Sequence, residues 1–185
     1  FEDELFLFGS NRFYSYAENR VGWVNKAAYN SVAINKLSVI RNSYQQTLPD
    51  MAYLANMVLY AWTDSRGGIR CSFVDFETGV TLINDASVTA TGIYPRALVI
   101  NNTFFVFYVD GTTLKGRRVG PNDQTTLEAE FNIRTDVAAA NKYYDIVQWG
   151  VNAVFAYANN ASGITIGYLR DDKIVGTVLY GLPDP

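Results

Sequence analysis

Four polar positions recur along the sequence at a nearly fixed distance, and they carry the chemistry worth weighing first. Glu18, Asp64, Asp110 and Asn159 each follow an aromatic residue by two places, after Tyr16, Trp62, Tyr108 and Tyr157. The aromatics are spaced by 46, 46 and 49 residues. Equivalent positions of a circular repeat lie on a ring, so these oxygens could gather around one opening. There they could hold a cation through hard oxygen ligands. In pairs they could act as the acid and base of glycoside hydrolysis, which needs two carboxyl groups at a set separation. The plainer reading is architectural, because Asp and Asn start turns by accepting bonds from backbone N–H groups just ahead of them. Repetition favours that reading: a position kept in every copy supports the scaffold, whereas a reactive site needs one copy to differ.

Lys115, Arg117 and Arg118 form the densest basic patch. Lys115 and Arg117 share a face of an extended strand and Arg118 takes the other. They could meet phosphate or an acidic partner, or serve as strand charges that discourage edge pairing. Cys71 stands alone, so no internal disulfide and no cysteine-based zinc site can form. Flanked by a strand pattern, it reads as a small buried hydrophobe. Histidine is absent altogether, which removes Ser-His-Asp and Cys-His catalysis and imidazole metal ligands. Gly67-Gly68 lacks the following helix that a phosphate loop requires and reads as a turn. The residues therefore offer no catalytic, metal or cofactor set, and the expectation is a protein that is not an enzyme.

The elements that would position these groups are strands. Of the 185 residues 49% are hydrophobic and 15% aromatic, with 13 Tyr and 11 Phe, which suits pleated, half-buried surfaces. Around the column Tyr16, Trp62, Tyr108 and Tyr157 the chain repeats itself. Val58 to Asp64 matches Phe104 to Asp110 and Ala153 to Asn159, with a weaker copy at Arg12 to Glu18. A short apolar run and a turn precede each copy: Leu5 to Phe8 then Gly9-Ser10-Asn11, Ala52 to Ala55, Ala97 to Ile100, and Ile146 to Trp149. A polar or glycine turn and another run follow it: Val21 to Val24 after Asn19-Arg20, then Ile69 to Val74, Leu114 to Val119 and Ile164 to Leu169. A last run closes each unit, at Val32 to Ile40, Val80 to Val88, Leu127 to Ile133 and Ile174 to Tyr180. Apolar runs bounded by turn residues are the hairpin signature. Asp136 to Asn141 reads as a helical turn between units.

Four short strands per unit at a period near 46 predict an all-β, β-propeller-like array of about four four-stranded antiparallel blades, at 1–44, 45–92, 93–141 and 142–185. Stacking covers both faces of each sheet, with the aromatic column packed between blades. Four units make either a small closed ring or part of a larger one, and a β-sandwich or a β-solenoid array stay open as alternatives. No apolar stretch is long enough to span a membrane. The formal charge of −3 argues against a dedicated nucleic-acid surface. The start, Phe1-Glu2-Asp3-Glu4, carries no initiator Met and no signal-peptide order, so a piece of a longer chain is expected.

Two stretches resemble the propeller part of short-tailed bacteriophage tail nozzle proteins of the tail tubular protein B type. They are Ala61 to Gly68 with the following Ile69 to Val74, and Phe107 to Arg117. The resemblance is one of blade style across most of the chain. It implies a virion structural component that oligomerises with copies of itself around a tail axis, takes part in assembly and DNA ejection, touches DNA in passing, and has no catalytic residues. On the residues alone two other functions stand beside it: a carbohydrate-binding or glycoside-hydrolysing propeller, motivated by the carboxylate circle and the many Tyr and Trp, and a generic scaffold differing only in its partners.

Overall fold

The computed structural model describes residues 4–13, 16–25, 35–37, 46–120 and 126–170, the first three stretches by their backbone. They form four antiparallel meander sheets in chain order. The first holds β1 (Glu4–Phe13), β2 (Tyr16–Asn25) and β3 (Asn35–Leu37). The second holds β4 (Gln46–Leu54), β5 (Met57–Asp64), β6 (Ile69–Asp75) and β7 (Val80–Thr89). The third holds β8 (Ile93–Ile100), β9 (Thr103–Asp110), β10 (Thr113–Val119) and β11 (Phe131–Arg134), and the fourth β12 (Tyr144–Trp149), β13 (Asn152–Ala158) and β14 (Ile164–Leu169). No described residue lies in a helix, and none forms a helix long and apolar enough to cross a membrane. The fold is all-β, and it is a stack of propeller-like blades.

Burial explains the stacking. β5 and β9 are buried along almost their whole length, on both faces, because a sheet lies on either side. One apolar cluster joins the second sheet to the third through Leu59, Ala61, Cys71, Val99, Val106 and Tyr108. Another joins the third to the fourth through Ile100, Phe107, Leu114, Ile146, Phe155 and Leu169. In β13 the pattern reverts to strict alternation, so the fourth sheet buries one face only. At about 25 cal/mol per Å² of apolar surface, burial on both faces is the main reason such thin sheets hold together.

The first strands of each sheet, β4, β8 and β12, approach one another most closely and line the inside of the array. β4 and β8 carry the same irregularity near their start. The ladder slips between Thr47 and Asp50 and between Ile93 and Arg96. In each bulge the residue before a proline takes a left-handed conformation, Leu48 with φ 50° and Tyr94 with φ 56°. A bulge re-aims the side chains that follow it.

Two local expectations differ from the structure, and a third falls outside the described residues. The first copy does not turn at Gly9-Ser10-Asn11: β1 runs straight through them, and β2 runs through Asn19-Arg20. Ten continuous pairs satisfy more backbone groups than two short hairpins, and Gly, Ser and Asn permit a turn without requiring one. Asp136 to Asn141 forms no helical turn; Val137 is swallowed by the core, bridges Asn159, and its N–H bonds to the Thr112 carbonyl. The closing run of the last unit, Ile174 to Tyr180, lies outside the described residues.

Candidate functional site

The ring of polar residues two places past the aromatic column turns out to be occupied by the scaffold. Asp64, its side chain fully enclosed, accepts bonds from Trp62 Nε1 (3.0 Å), from the Arg66 N–H (2.9 Å) and from the Arg66 guanidinium (2.7 and 2.8 Å). Burial, the largest single influence, opposes its ionisation, but the Arg66 and Trp62 bonds together hold it below the usual carboxylate range. Asp110 accepts from Lys115 Nζ (2.9 Å) and Thr91 Oγ1 (2.7 Å). Asn159 Oδ1 takes the N–H groups of Ala161 and Gly163 while its amide donates to Thr165 Oγ1. Glu18 stands inside β2, paired with Asn11, not at a strand end. Among the described residues no three His, Cys, Asp or Glu side chains converge as a metal-ligand group.

The aromatic column is core: Trp62, Tyr108 and Tyr157 are buried, and Tyr108 and Tyr157 donate their hydroxyls to Glu130 (2.8 Å) and Asp136 (2.7 Å). Of Tyr16 the backbone position in β2 is described. The basic patch is spent on the fold as well. Lys115 bridges Asp110 and Glu130, and Arg118 lies 5.7 Å from the Phe105 ring centroid. Arg117 donates to the carbonyls of Val88 (2.6 Å) and Glu128 (2.5 Å), tying the second sheet to the third. Cys71 is fully buried, and burial pushes its thiol up to about 12.

A second set of repeat-equivalent residues lies on the first strands of the sheets, β4, β8 and β12. Asp50, Arg96 and Asp145 pair with Ala61, Phe107 and Ala156, which are themselves equivalent, and they are spaced by 46 and 49 residues like the column. Here the three blades differ in charge. The Asp50 carboxyl reaches across to the next blade and accepts the Ala97 N–H through Oδ2 (3.0 Å). Arg96 Nη2 meets Asp145 Oδ1 at 3.3 Å, again across a blade boundary. Tyr144 donates its hydroxyl to the Tyr94 carbonyl (2.6 Å), which the left-handed bulge presents to the following sheet. These cross-blade bonds fix the side chains on rigid strands, as a reactive constellation requires.

The two carboxyl groups differ in their surroundings. Burial is the largest influence on Asp50 and raises its pKa; the Ala97 N–H and Arg96 oppose that, while the negative charge of Asp145 adds to it. Asp145 is exposed and ion-paired. Two residues before each member, at Leu48, Tyr94 and Tyr143, stands an exposed apolar side chain. The Tyr94 and Tyr143 rings lie 6.4 Å apart at 36°. A half-buried carboxyl, an ion-paired carboxyl and a guanidinium thus lie beside an open aromatic step. Sequence reasoning missed this set because the inner runs were expected to begin at Ala52, Ala97 and Ile146, past all three residues, whereas the strands begin at Gln46, Ile93 and Tyr144. The signal was present as Leu48-Pro49-Asp50, Tyr94-Pro95-Arg96 and Tyr143-Tyr144-Asp145.

No protein-family profile and no curated protein sequence matches the chain. Solved structures share its fold. GH43B of a Bacteroides ovatus xyloglucan PUL matches with a TM-score of 0.57 at 11% identity, covering 99% of this chain and 39% of that one. An exo-β-1,3-galactanase from Clostridium thermocellum gives 0.60 at 9% identity over 98% of this chain and 46% of its own. An α-L-arabinofuranosidase from Clostridium thermocellum ATCC 27405 gives 0.55 at 13% over 98% and 70%. The chain therefore spans less than half the length of the first two. These neighbours are β-propeller glycoside hydrolases, which overturns the resemblance to phage tail nozzle proteins. With it fall the non-enzymatic structural reading and the virion location. Turns such as Asp64 to Gly68 are what a tight hairpin between buried strands demands in any propeller, so they report hairpin geometry and not lineage.

Proposed function

We propose that this chain carries the site of a carbohydrate-acting, glycoside-hydrolysing propeller, centred on Asp50, Arg96 and Asp145. The observation that carries the reading is the break in symmetry: equivalent inner-strand positions hold an acid, a cation and an acid beside the exposed Leu48, Tyr94 and Tyr143. Glycoside cleavage needs one carboxyl group that is protonated and one that is not. Asp50, whose pKa burial raises, is assigned as the acid; the Ala97 N–H engages Oδ2, which leaves Oδ1 to deliver a proton to the leaving oxygen. Asp145, with Oδ1 held by Arg96 and by its neighbour's Ile146 N–H (3.0 Å), keeps Oδ2 for the sugar or for an attacking water. The tyrosine faces offer apolar platforms for pyranose or furanose C–H surfaces.

The fold neighbours' names suggest the substrates to try: arabinan, β-1,3-galactan and xyloglucan. Purified protein is expected to release reducing ends from at least one of them. Asp50→Asn and Asp145→Asn should each lower turnover by about 10²- to 10⁴-fold, the usual contribution of general acid–base catalysis, with glycan affinity in calorimetry little changed. Binding without cleavage would retain the glycan and remove the hydrolysis. Neither binding nor cleavage across the three polymers, or full activity in both variants, would overturn the proposal.

A further inference from the structure

The residue just before each member of the site breaks the repeat as well. It is Pro49 before Asp50, Pro95 before Arg96 and Tyr144 before Asp145. The two prolines sit in the bulges of β4 and β8, each next to a residue in the left-handed conformation, Leu48 or Tyr94. β12 has no bulge: its ladder to β13 runs without a slip from Tyr144 to Trp149. A proline has neither a side-chain nor a backbone donor to offer. Tyr144 has a hydroxyl, and it places that hydroxyl on the bulge of the preceding blade.

Tyr94 and Pro95 have no counterparts in the ladder to β9. A positive φ in a bulky residue ahead of proline is a conformation that only surrounding contacts sustain. The Tyr144 hydroxyl supplies one by donating to the Tyr94 carbonyl at 2.6 Å. Its neighbours on either side reach the same bulge. The Tyr143 ring lies 6.4 Å from the Tyr94 ring, and the Asp145 carboxyl meets the Arg96 guanidinium at 3.3 Å. Three consecutive residues thus hold Tyr94 by its ring and its carbonyl, and Arg96 by its head. Only the Tyr144 contact is to main chain, and the path of the main chain decides where both side chains project. Burial raises the phenol well above its ordinary pKa, so it remains a donor, and the next influences on it are Arg96, Asp50 and Asp145.

We infer that Tyr144 is a positioning residue: through the Tyr94 carbonyl it sets the bulge that aims the Tyr94 ring at the glycan and Arg96 at Asp145. That the ligand is a glycan rests on the function proposed above. The position carries a hydroxyl in the one blade that has a bulge before it and none of its own.

Two measurements test this, and the first needs no glycan. In Tyr144→Phe the ring stays and one bond goes. Amide hydrogen exchange at Arg96 and Ala97 should quicken about tenfold or more, as in a segment that opens locally, while Leu59 and Phe155 keep their parent rates. Unchanged exchange at Arg96 and Ala97 overturns the inference, and so does an equal rise at all four positions, which would mean general loosening. The second measurement is calorimetry on the cleavage-impaired Asp50→Asn chain with arabinan, β-1,3-galactan and xyloglucan. Added Tyr144→Phe should weaken binding about tenfold, Tyr94→Ala at least as much, and both together no more than Tyr94→Ala alone, because one acts through the other. Additive losses overturn the inference, since Tyr144 would then act independently of Tyr94. If no polymer binds either the parent or the Asp50→Asn chain, the proposed function falls, and the exchange rates still decide whether Tyr144 sets the bulge.

Discussion

Asp50 and Asp64 are both aspartates on strands of one sheet, yet their surroundings drive them in opposite directions. Asp64 has an arginine clamped to it and titrates below the usual range, so its bonds stabilise the fold above pH 3.8 and are lost as pH falls through its folded value. Asp50 is buried with a weaker partner and titrates above 3.8. A raised carboxyl binds its proton more tightly folded than unfolded, so stability is full below 3.8 and declines as pH rises through the folded value. Asp50→Asn keeps an acceptor for the Ala97 N–H and cannot ionise. Its melting temperature is expected to exceed the parent's at neutral pH, with the difference vanishing below pH 3.8 in thermal scans. An unchanged difference across that range would show that Asp50 is not desolvated. The turn role of Asp64 was legible in the sequence, because an Asp ahead of Ser65-Arg66-Gly67-Gly68 has backbone donors within reach. The role of Asp50 was not, because it depends on a bulge and on a neighbour 47 residues away.

At the scale of elements, turns and strands divide the work. The hairpin between β5 and β6 needs Gly68 at φ +71°, where an added Cβ would lie 1.9 Å from the Thr89 carbonyl oxygen. Between sheets, the tie is Arg117, whose guanidinium satisfies two carbonyls on two blades. Arg117→Ala is expected to lower stability by about 1.5–3 kcal/mol, the range for hydrogen bonds to charged groups. Hydrogen exchange should show the loss first around Val88 and Glu128. Strand order and most strand limits were legible because apolar runs between turn residues leave few alternatives. Arg117 was legible only as a charge on a strand. Nothing local says that its head reaches 29 residues back to another blade.

For the whole molecule, the sheets form a chain of nearest neighbours, each stable only against the next. Phe155 fills the boundary between the third and fourth sheets, and its ring lies over Gly167, where an added Cβ would come within 2.4 Å. Phe155→Ala should cost about 3–5 kcal/mol, as for other buried aromatics. By calorimetry the fourth sheet should then melt before the second and third; a single unchanged transition would show that the blades are not coupled through this ring. The propeller architecture was readable from the period together with four apolar runs per unit, while its likeness in fold to solved glycoside hydrolases was not, since hairpins of this style serve many families. The bulges before Asp50 and Arg96 carry one more consequence. A chain that lengthens by copying a blade inherits one such mouth position per copy, held on a strand whose packing lies behind it. Exchanging that single residue rewrites the chemistry of the opening while every turn and core contact stays as it was. The same architecture can therefore explore new substrates one codon at a time, without first surrendering its stability.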